Sequence, residues 1–143
     1  MATILLDVNV LLAILDRTQP RHPIAEARLQ SALASRSEIL IPQEVALACI
    51  RLLANPHVVP HPVTPQSAYN AMEPLLQRSE VRLLAPNDDS WRQFGSLLAK
   101  VNGFRLVHDA HLAALALANN CHLVTFDRDF LRFEDLDVEI LTV

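Results

Sequence analysis

The chain alternates short, apolar, β-rich segments with longer segments of helical periodicity. We predict strands at five places, residues 3–6, 38–41, 81–84, 122–125 and 138–141. Strands that alternate with helices predict an α/β fold, in which a central parallel sheet is covered by helices on both faces. The 143 residues fit one domain spanning 1–143.

The helical segments lie between these strands and carry recognisable start signals. Thr64 followed by Pro65 predicts a capped helix start, and Pro42 is expected to open an earlier helix. The predicted helices cover residues 7–16, 22–35, 42–54, 64–78, 87 to about 103, and 108–119. Residues 55–63 carry three prolines and predict a loop. The Ala-rich helix at 108–119 is apolar nearly all round, so we expect it to be buried on several sides.

Composition removes several classes of protein. Only two glycines occur, which excludes the glycine-rich phosphate loops of dinucleotide-binding and P-loop proteins. A net charge of −4 argues against a protein that coats nucleic acid through long-range attraction. The two cysteines, Cys49 and Cys121, are interpreted as core residues of a reducing compartment. With no secretory or membrane-spanning pattern recognised, we expect a cytoplasmic protein.

Four acidic residues occur at one kind of place, the junction between a strand and a helix or the start of a helix. Asp7 follows the first strand, Glu44 lies in the first turn after the second, Asp109 opens the Ala-rich helix, and Asp127 follows the fourth strand. Each alone could be a helix cap or a favourable charge at a helix N-terminus. Together they predict a carboxylate cluster at one sheet edge, where mutual repulsion favours a divalent cation.

The sequence resembles a PIN-domain ribonuclease of the VapC toxin type. Four motifs carry the resemblance: residues 6–11 (LDVNVL), Arg51 with Asn55-Pro56, residues 107–116 (VHDAHLAALA) and residues 125–130 (TFDRDF). The resemblance implies a single PIN-like domain that cuts RNA with Mg²⁺ or Mn²⁺. It also implies a toxin of a toxin–antitoxin pair, neutralised by a small cognate antitoxin.

The family's site residues transfer by position onto this chain. Asp7, Asp109 and Asp127 take the metal-ligand roles, and Glu44 is the one candidate for the fourth acid. The implied cation activates a water and neutralises charge on the scissile phosphate. We predict that Asn9 and Thr125 orient the carboxylates and that Asp129 shares the role of Asp127. We also predict that Arg51 contacts a phosphate. An ordinary surface position is the alternative for Arg51.

Two other functions remain open from the sequence. One is a phosphotransfer enzyme with Asp7 as nucleophile, although Asn9 stands where such enzymes carry a second aspartate. The only lysine, Lys100, lies in a predicted helix and not at a strand end. The other is a non-catalytic module whose acidic groove binds a protein. His108 and His111 share a helix spacing that suits zinc, but without further ligands they are interpreted as surface or packing residues.

Two protein partners are predicted. A homodimer is expected because half of the chain is hydrophobic, with the apolar face of helix 64–78 as the candidate interface. That face contains Ala68, Met72, Leu75 and Leu76. An antitoxin segment is expected to place a basic residue among the acids and to pack apolar residues along neighbouring helices.

Overall fold

A computed structural model describes residues 2–143. Within these residues there are six α-helices and five strands, and the first four strands are separated by pairs of helices. In chain order they are β1 (Thr3–Leu6), α1 (Val8–Leu15), α2 (His22–Ala34), β2 (Glu38–Pro42), α3 (Gln43–Leu53), α4 (Pro65–Leu76), β3 (Val81–Leu84), α5 (Asp88–Leu97), α6 (Val107–Ala118), β4 (His122–Thr125) and β5 (Val138–Ile140). Two short 3₁₀ turns follow α5 and β4, at Leu98–Lys100 and Arg128–Arg132. The predicted fold class is confirmed.

The sheet has the strand order β3-β2-β1-β4-β5, and all its pairs are parallel. The chain runs outward from β1 to β3, then crosses back to β4 and continues to β5. Right-handed crossovers therefore place α1–α4 on one face and α5 and α6 on the other. The reversal falls between the central strands β1 and β4, and the carboxyl ends of strands at such a reversal form the usual ligand-binding crevice.

The core is built on the three central strands. Leu5 of β1 is in register with Leu40 of β2 and with Leu123 of β4, and all three side chains are buried. Helix α6 packs against α5 on one side and β4 on the other, which explains why nearly every side of this helix is apolar. Cys49 and Cys121 are both buried and unpaired, as predicted. Burial raises the pKa of the Cys49 thiol to about 12, so this residue packs and does not act as a nucleophile.

Several predicted boundaries differ from the structure, most of them by one or two residues. Pro42 is the last residue of β2 and keeps an extended backbone, so α3 begins at Gln43. Helix α5 ends at Leu97 and tightens into the 3₁₀ turn, well before the predicted stop at Asn102-Gly103. Gly103 instead adopts a left-handed backbone with φ +82° in the following loop. The 3₁₀ turn after β4 was not predicted.

The predicted dimer face on α4 is wrong. Ala68, Met72 and Leu75 are 0%, 2% and 8% exposed, and they pack against the chain's own core. Leu76 is partly buried against the same core. The apolar face of α4 is therefore buried within the protomer and cannot serve as an interface.

Among residues 2–143, no helix combines the length and the apolar composition needed to cross a bilayer.

Candidate active site and metal centre

Asp7 connects the end of β1 to the start of α1. Its Oδ1 accepts a hydrogen bond from the Val8 amide at 2.7 Å, and its Oδ2 accepts one from the Thr125 hydroxyl at 2.7 Å. The residue is only 7% exposed. Burial raises the pKa of the Asp7 carboxyl, opposed by the hydrogen bonds from Thr125 and Val8 and assisted by the charges of Asp127 and Glu44. Asp7 is thus both a helix cap and a member of an acidic cluster.

Thr125 and Asn9 join β4 to the start of α1. The fully buried Thr125 hydroxyl donates to Asp7 and accepts from the Asp127 amide at 3.0 Å. The side-chain carbonyl of Asn9 accepts a hydrogen bond from the Phe126 backbone amide at 3.3 Å, and the side-chain nitrogen of Asn9 lies 3.5 Å from the Thr125 hydroxyl. Thr125 therefore contacts a site carboxylate directly, whereas Asn9 mainly fixes the backbone that follows β4.

Three aspartates form the closest group of acids in the part of the chain described. Asp109, Asp127 and Asp129 can each present one carboxylate oxygen within 4.8 Å of the others. Asp109 lies in the first turn of α6, and Asp127 caps the 3₁₀ turn by accepting from the Asp129 amide at 2.9 Å. Asp129 can therefore present an oxygen in the same group as Asp109 and Asp127, whereas the sequence indicated only a shared role with Asp127.

The electrostatics of Asp109 reflect this crowding. Burial, as the largest cause, and the charges of Asp127, Asp7 and Asp129 together raise the pKa of the Asp109 carboxyl to about 6, while His108 opposes them. The negative charges of neighbouring acids make the ionised form of a carboxylate less favourable, and a bound cation stabilises that ionised form. The four aspartates therefore act on one another as a single electrostatic cluster.

A cavity of about 430 Å³ opens beside this cluster. We call it the acid groove. Its lining residues are Asp7, Val8, Glu44, Val45, Leu47, Ala48, Arg51, His108, Asp109 and Leu112. The lining therefore combines acids with apolar residues of α3 and α6. Arg51 is exposed on the wall of the groove and has no ion-pair partner among residues 2–143, so its guanidinium is available to an anionic ligand.

Glu44 reaches the acid groove from α3 and has a partner that the sequence did not reveal. Its Oε1 lies 2.5 Å from Nδ1 of His111 on α6. Of the two histidines considered from the sequence, His108 is exposed on the groove wall, whereas His111 contacts a site acid. No local pattern connects two residues 67 positions apart on different helices.

Fold and site together define an α/β domain with a carboxylate cluster at the topological reversal of a parallel sheet. Residues 4–136 match the model of the PIN domain. The chain therefore belongs to the PIN-domain family, within its VapC group, as the sequence motifs indicated. It is 37% identical to a VapC ribonuclease of Mycobacterium bovis, over 91% of this chain and 89% of the relative. It is 30% identical to the ribonuclease VapC37 of Mycobacterium tuberculosis, over 91% of each chain.

Two solved structures with the same fold come from Rickettsia felis and Mycobacterium tuberculosis. The structure of VapBC2 from Rickettsia felis, bound to a promoter DNA fragment, matches with a TM-score of 0.72 and 19% identity, over 98% of this chain and 99% of the other. VapC20 of Mycobacterium tuberculosis, described as a sarcin–ricin loop cleaving toxin, matches with a TM-score of 0.67 and 19% identity, over 98% and 100%. At these identities the likeness shows the shared fold.

Proposed function

We propose that this protein is an endoribonuclease toxin that hydrolyses RNA with Mg²⁺ or Mn²⁺ held by Asp7, Asp109 and Asp127. The observation that carries the proposal is the group of three aspartates beside the buried Asp7, at the carboxyl edge of β1 and β4. The names of the curated relatives, which are VapC ribonucleases, support the same reaction.

The donor set fits a hard divalent cation. Within residues 2–143, the one group of three close ligand atoms consists of carboxylates, with no thiolate or imidazole among them. Oxygen ligands suit Mg²⁺ and Mn²⁺, whereas structural zinc sites are usually built from cysteine and histidine. Asp129 can add a further oxygen to this group. Glu44 faces the same groove and can hold a water or a second cation.

The position of each site residue indicates its role in the proposed reaction. When bound, the cation supplies an activated water and neutralises charge that develops on the phosphate. Asp7 is held rigidly by Thr125 and Val8, so its orientation does not have to be fixed during the reaction. Arg51 lies on the groove wall without an ion-pair partner in the described chain, in a position to bind an RNA phosphate through its planar fork.

The structure gives less support to the phosphotransfer alternative. The carbonyl of Asn9, which occupies the position of the second acid, is engaged by the Phe126 amide. Lys100 lies in an exposed 3₁₀ turn and not at a strand end. The aspartyl-phosphate reaction therefore lacks the second acid and the strand-end lysine it needs. The non-catalytic alternative is separated from ours by an assay of turnover.

We expect the purified chain to cut cellular RNA when Mg²⁺ or Mn²⁺ is added and to be inactive in excess chelator. The reason is that the carboxylates cannot neutralise a phosphate without the cation. Sequencing of the new RNA ends would identify the target and the cut site. Binding to a protein partner without cleavage, in every cation tried, would instead favour the non-catalytic module.

We also propose a homodimer whose interface lies away from α4. Several large apolar side chains remain exposed away from the acid groove in the described chain, among them Trp91 at 63%, Phe104 at 82% and Leu131 at 48%. Exposed apolar surface of this kind often marks contacts, and a two-fold dimer is the commonest closed assembly. Light scattering at micromolar concentration should give twice the 15.9 kDa of one chain. A mass of one chain across that range would contradict the dimer.

The site also suggests a partner and a place of action. We propose a cognate antitoxin that neutralises the acid groove. The structural relatives named VapBC2 and VapBC-1 support the existence of such a partner. Substrate RNA and such an antitoxin would both be met in the cytoplasm, which remains our prediction.

A further inference from the structure

We propose that His111 is a positioning residue for Glu44 that holds this carboxylate in the acid groove. The inference rests on the proposed function, because it concerns how the site acids are arranged. His111 Nδ1 and Glu44 Oε1 are 2.5 Å apart, with side chains that are 20% and 35% exposed. An ionised carboxylate can only accept hydrogen bonds, so in the tautomer that carries a proton on Nδ1 the imidazole of His111 donates to Glu44.

The imidazole ring is itself held by two aromatic side chains of α5. Phe94 meets it edge-to-face at a centroid distance of 5.2 Å and an interplanar angle of 78°. Trp91 meets it at 6.3 Å and 65°. Such edge contacts are favourable and orient the ring. Phe94 is buried and Trp91 is largely exposed, so the ring is packed from inside and partly covered from outside.

Without the contact to His111, no other hydrogen bond within residues 2–143 would hold the Glu44 side chain in the groove. Its charge acts unfavourably on Asp7, since it contributes to the raised pKa of the Asp7 carboxyl. A glutamate in the first turn of a helix can relieve such repulsion by rotating toward solvent. The contact with His111 opposes that rotation. It uses one oxygen, and Oε2 has no hydrogen-bond partner among residues 2–143, so Oε2 is available to a water or cation.

The contact also connects helices from opposite faces of the sheet. Glu44 belongs to α3, on one face of the sheet, and His111 belongs to α6, on the other face. A purely structural bridge would stabilise the fold whatever the role of Glu44. A positioning residue acts on the cation site through Glu44 alone. The experiment must separate these two cases.

The test is a double-mutant cycle between His111 and Glu44, with RNA cleavage and Mn²⁺ affinity as separate readouts. His111→Leu removes the donor and is expected to lower both by about 10- to 100-fold, the usual effect of losing a residue that orients a ligand. His111→Asn places an amide N–H near the position of Nδ1 and should recover most of the loss. In a Glu44→Gln background, His111→Leu should change Mn²⁺ affinity little further. His61→Leu, in the exposed loop after α3, is the matched control and should behave as wild type.

Two outcomes would overturn the inference. One is wild-type cleavage and Mn²⁺ affinity in His111→Leu. The other is an equal loss from His111→Leu with and without Glu44, because that loss would be structural. Mn²⁺ affinity does not require turnover, so the cycle can be read even if the chain cuts no RNA. In that case the proposed function would fail while the coupling of His111 to Glu44 would still be decided.

Discussion

Replacement of Asp109 by Asn is expected to abolish RNA cleavage while the protein stays folded. Asn keeps the size of the side chain but removes the charge that holds the cation, in a group where Asp127 and Asp129 are close by. Loss of one group that stabilises developing charge commonly costs about 100- to 1,000-fold in rate. Asp7→Asn should have an equally large effect, because Asp7 is the most buried of the site acids. Single-turnover cleavage of a defined RNA in saturating Mg²⁺ measures both.

The controls for this prediction are other aspartates of the same chain. Asp135→Asn alters an exposed acid in the segment before β5 and should leave the rate unchanged. Asp129→Asn should reduce cleavage less than Asp127→Asn, since Asp129 is exposed and Asp127 is partly buried. Wild-type rates in purified Asp7→Asn or Asp109→Asn would show that the metal-site assignment is wrong.

The same substitution should change how stability depends on pH. The pKa of the Asp109 carboxyl is raised from 3.8 to about 6 in the folded protein, chiefly by burial. A raised pKa means that the folded state binds the proton more tightly than the unfolded chain. This contribution to stability is complete below about pH 4 and is lost as the pH rises through about 6.

Cation-free Asp109→Asn should therefore gain melting temperature relative to wild type as the pH rises from 5 to 7. Added Mg²⁺ should stabilise wild type more at pH 7 than at pH 5, since it must compete with the proton at pH 5. Differential scanning calorimetry of the two proteins, each with and without Mg²⁺, gives the comparison. A difference in melting temperature that is constant across this pH range would contradict the raised pKa of the Asp109 carboxyl.

The positions of Asp7 and Asp127 could be predicted because each follows a buried strand. Asp7 comes directly after three buried residues of β1, and Asp127 comes two residues after β4. Parallel strands place such residues on one edge whatever the details of the loops. The 3₁₀ turn after β4 was missed because an aspartate cap alone does not specify which kind of turn follows.

Other features depend on contacts between distant parts of the chain. The apolar positions Ala68, Met72 and Leu75 predict one apolar face on α4, but periodicity cannot tell whether the core or a second protomer covers it. The structure shows that the core does. The contact between Glu44 and His111 has a similar origin, because it forms only when helices from the two faces of the sheet meet beside the site.

The acid groove is expected to be closed in the inhibited state by a basic residue of the antitoxin. Asp7, Glu44 and Asp109 line one cavity in a chain of net charge −4, so closing it without positive charge is unfavourable. An arginine can pair bidentately with such carboxylates. Apolar residues of the same segment can pack on Leu47 of α3, which lines the groove and is 70% exposed.

Neutralising that one basic residue should weaken inhibition by about 30-fold to several thousand-fold, equivalent to about 2–5 kcal/mol for breaking a buried charge pair. Because the residue and the cation compete for the same carboxylates, raising Mg²⁺ should also weaken inhibition. Leu47→Ser should weaken binding while cleavage by the free protein is preserved, which separates the apolar contact from the charge pair. The measurement is cleavage by the co-purified complex, titrated with Mg²⁺, for each variant. If replacing every basic residue of the antitoxin segment left inhibition unchanged, the partner would act elsewhere, even with the ribonuclease assignment intact.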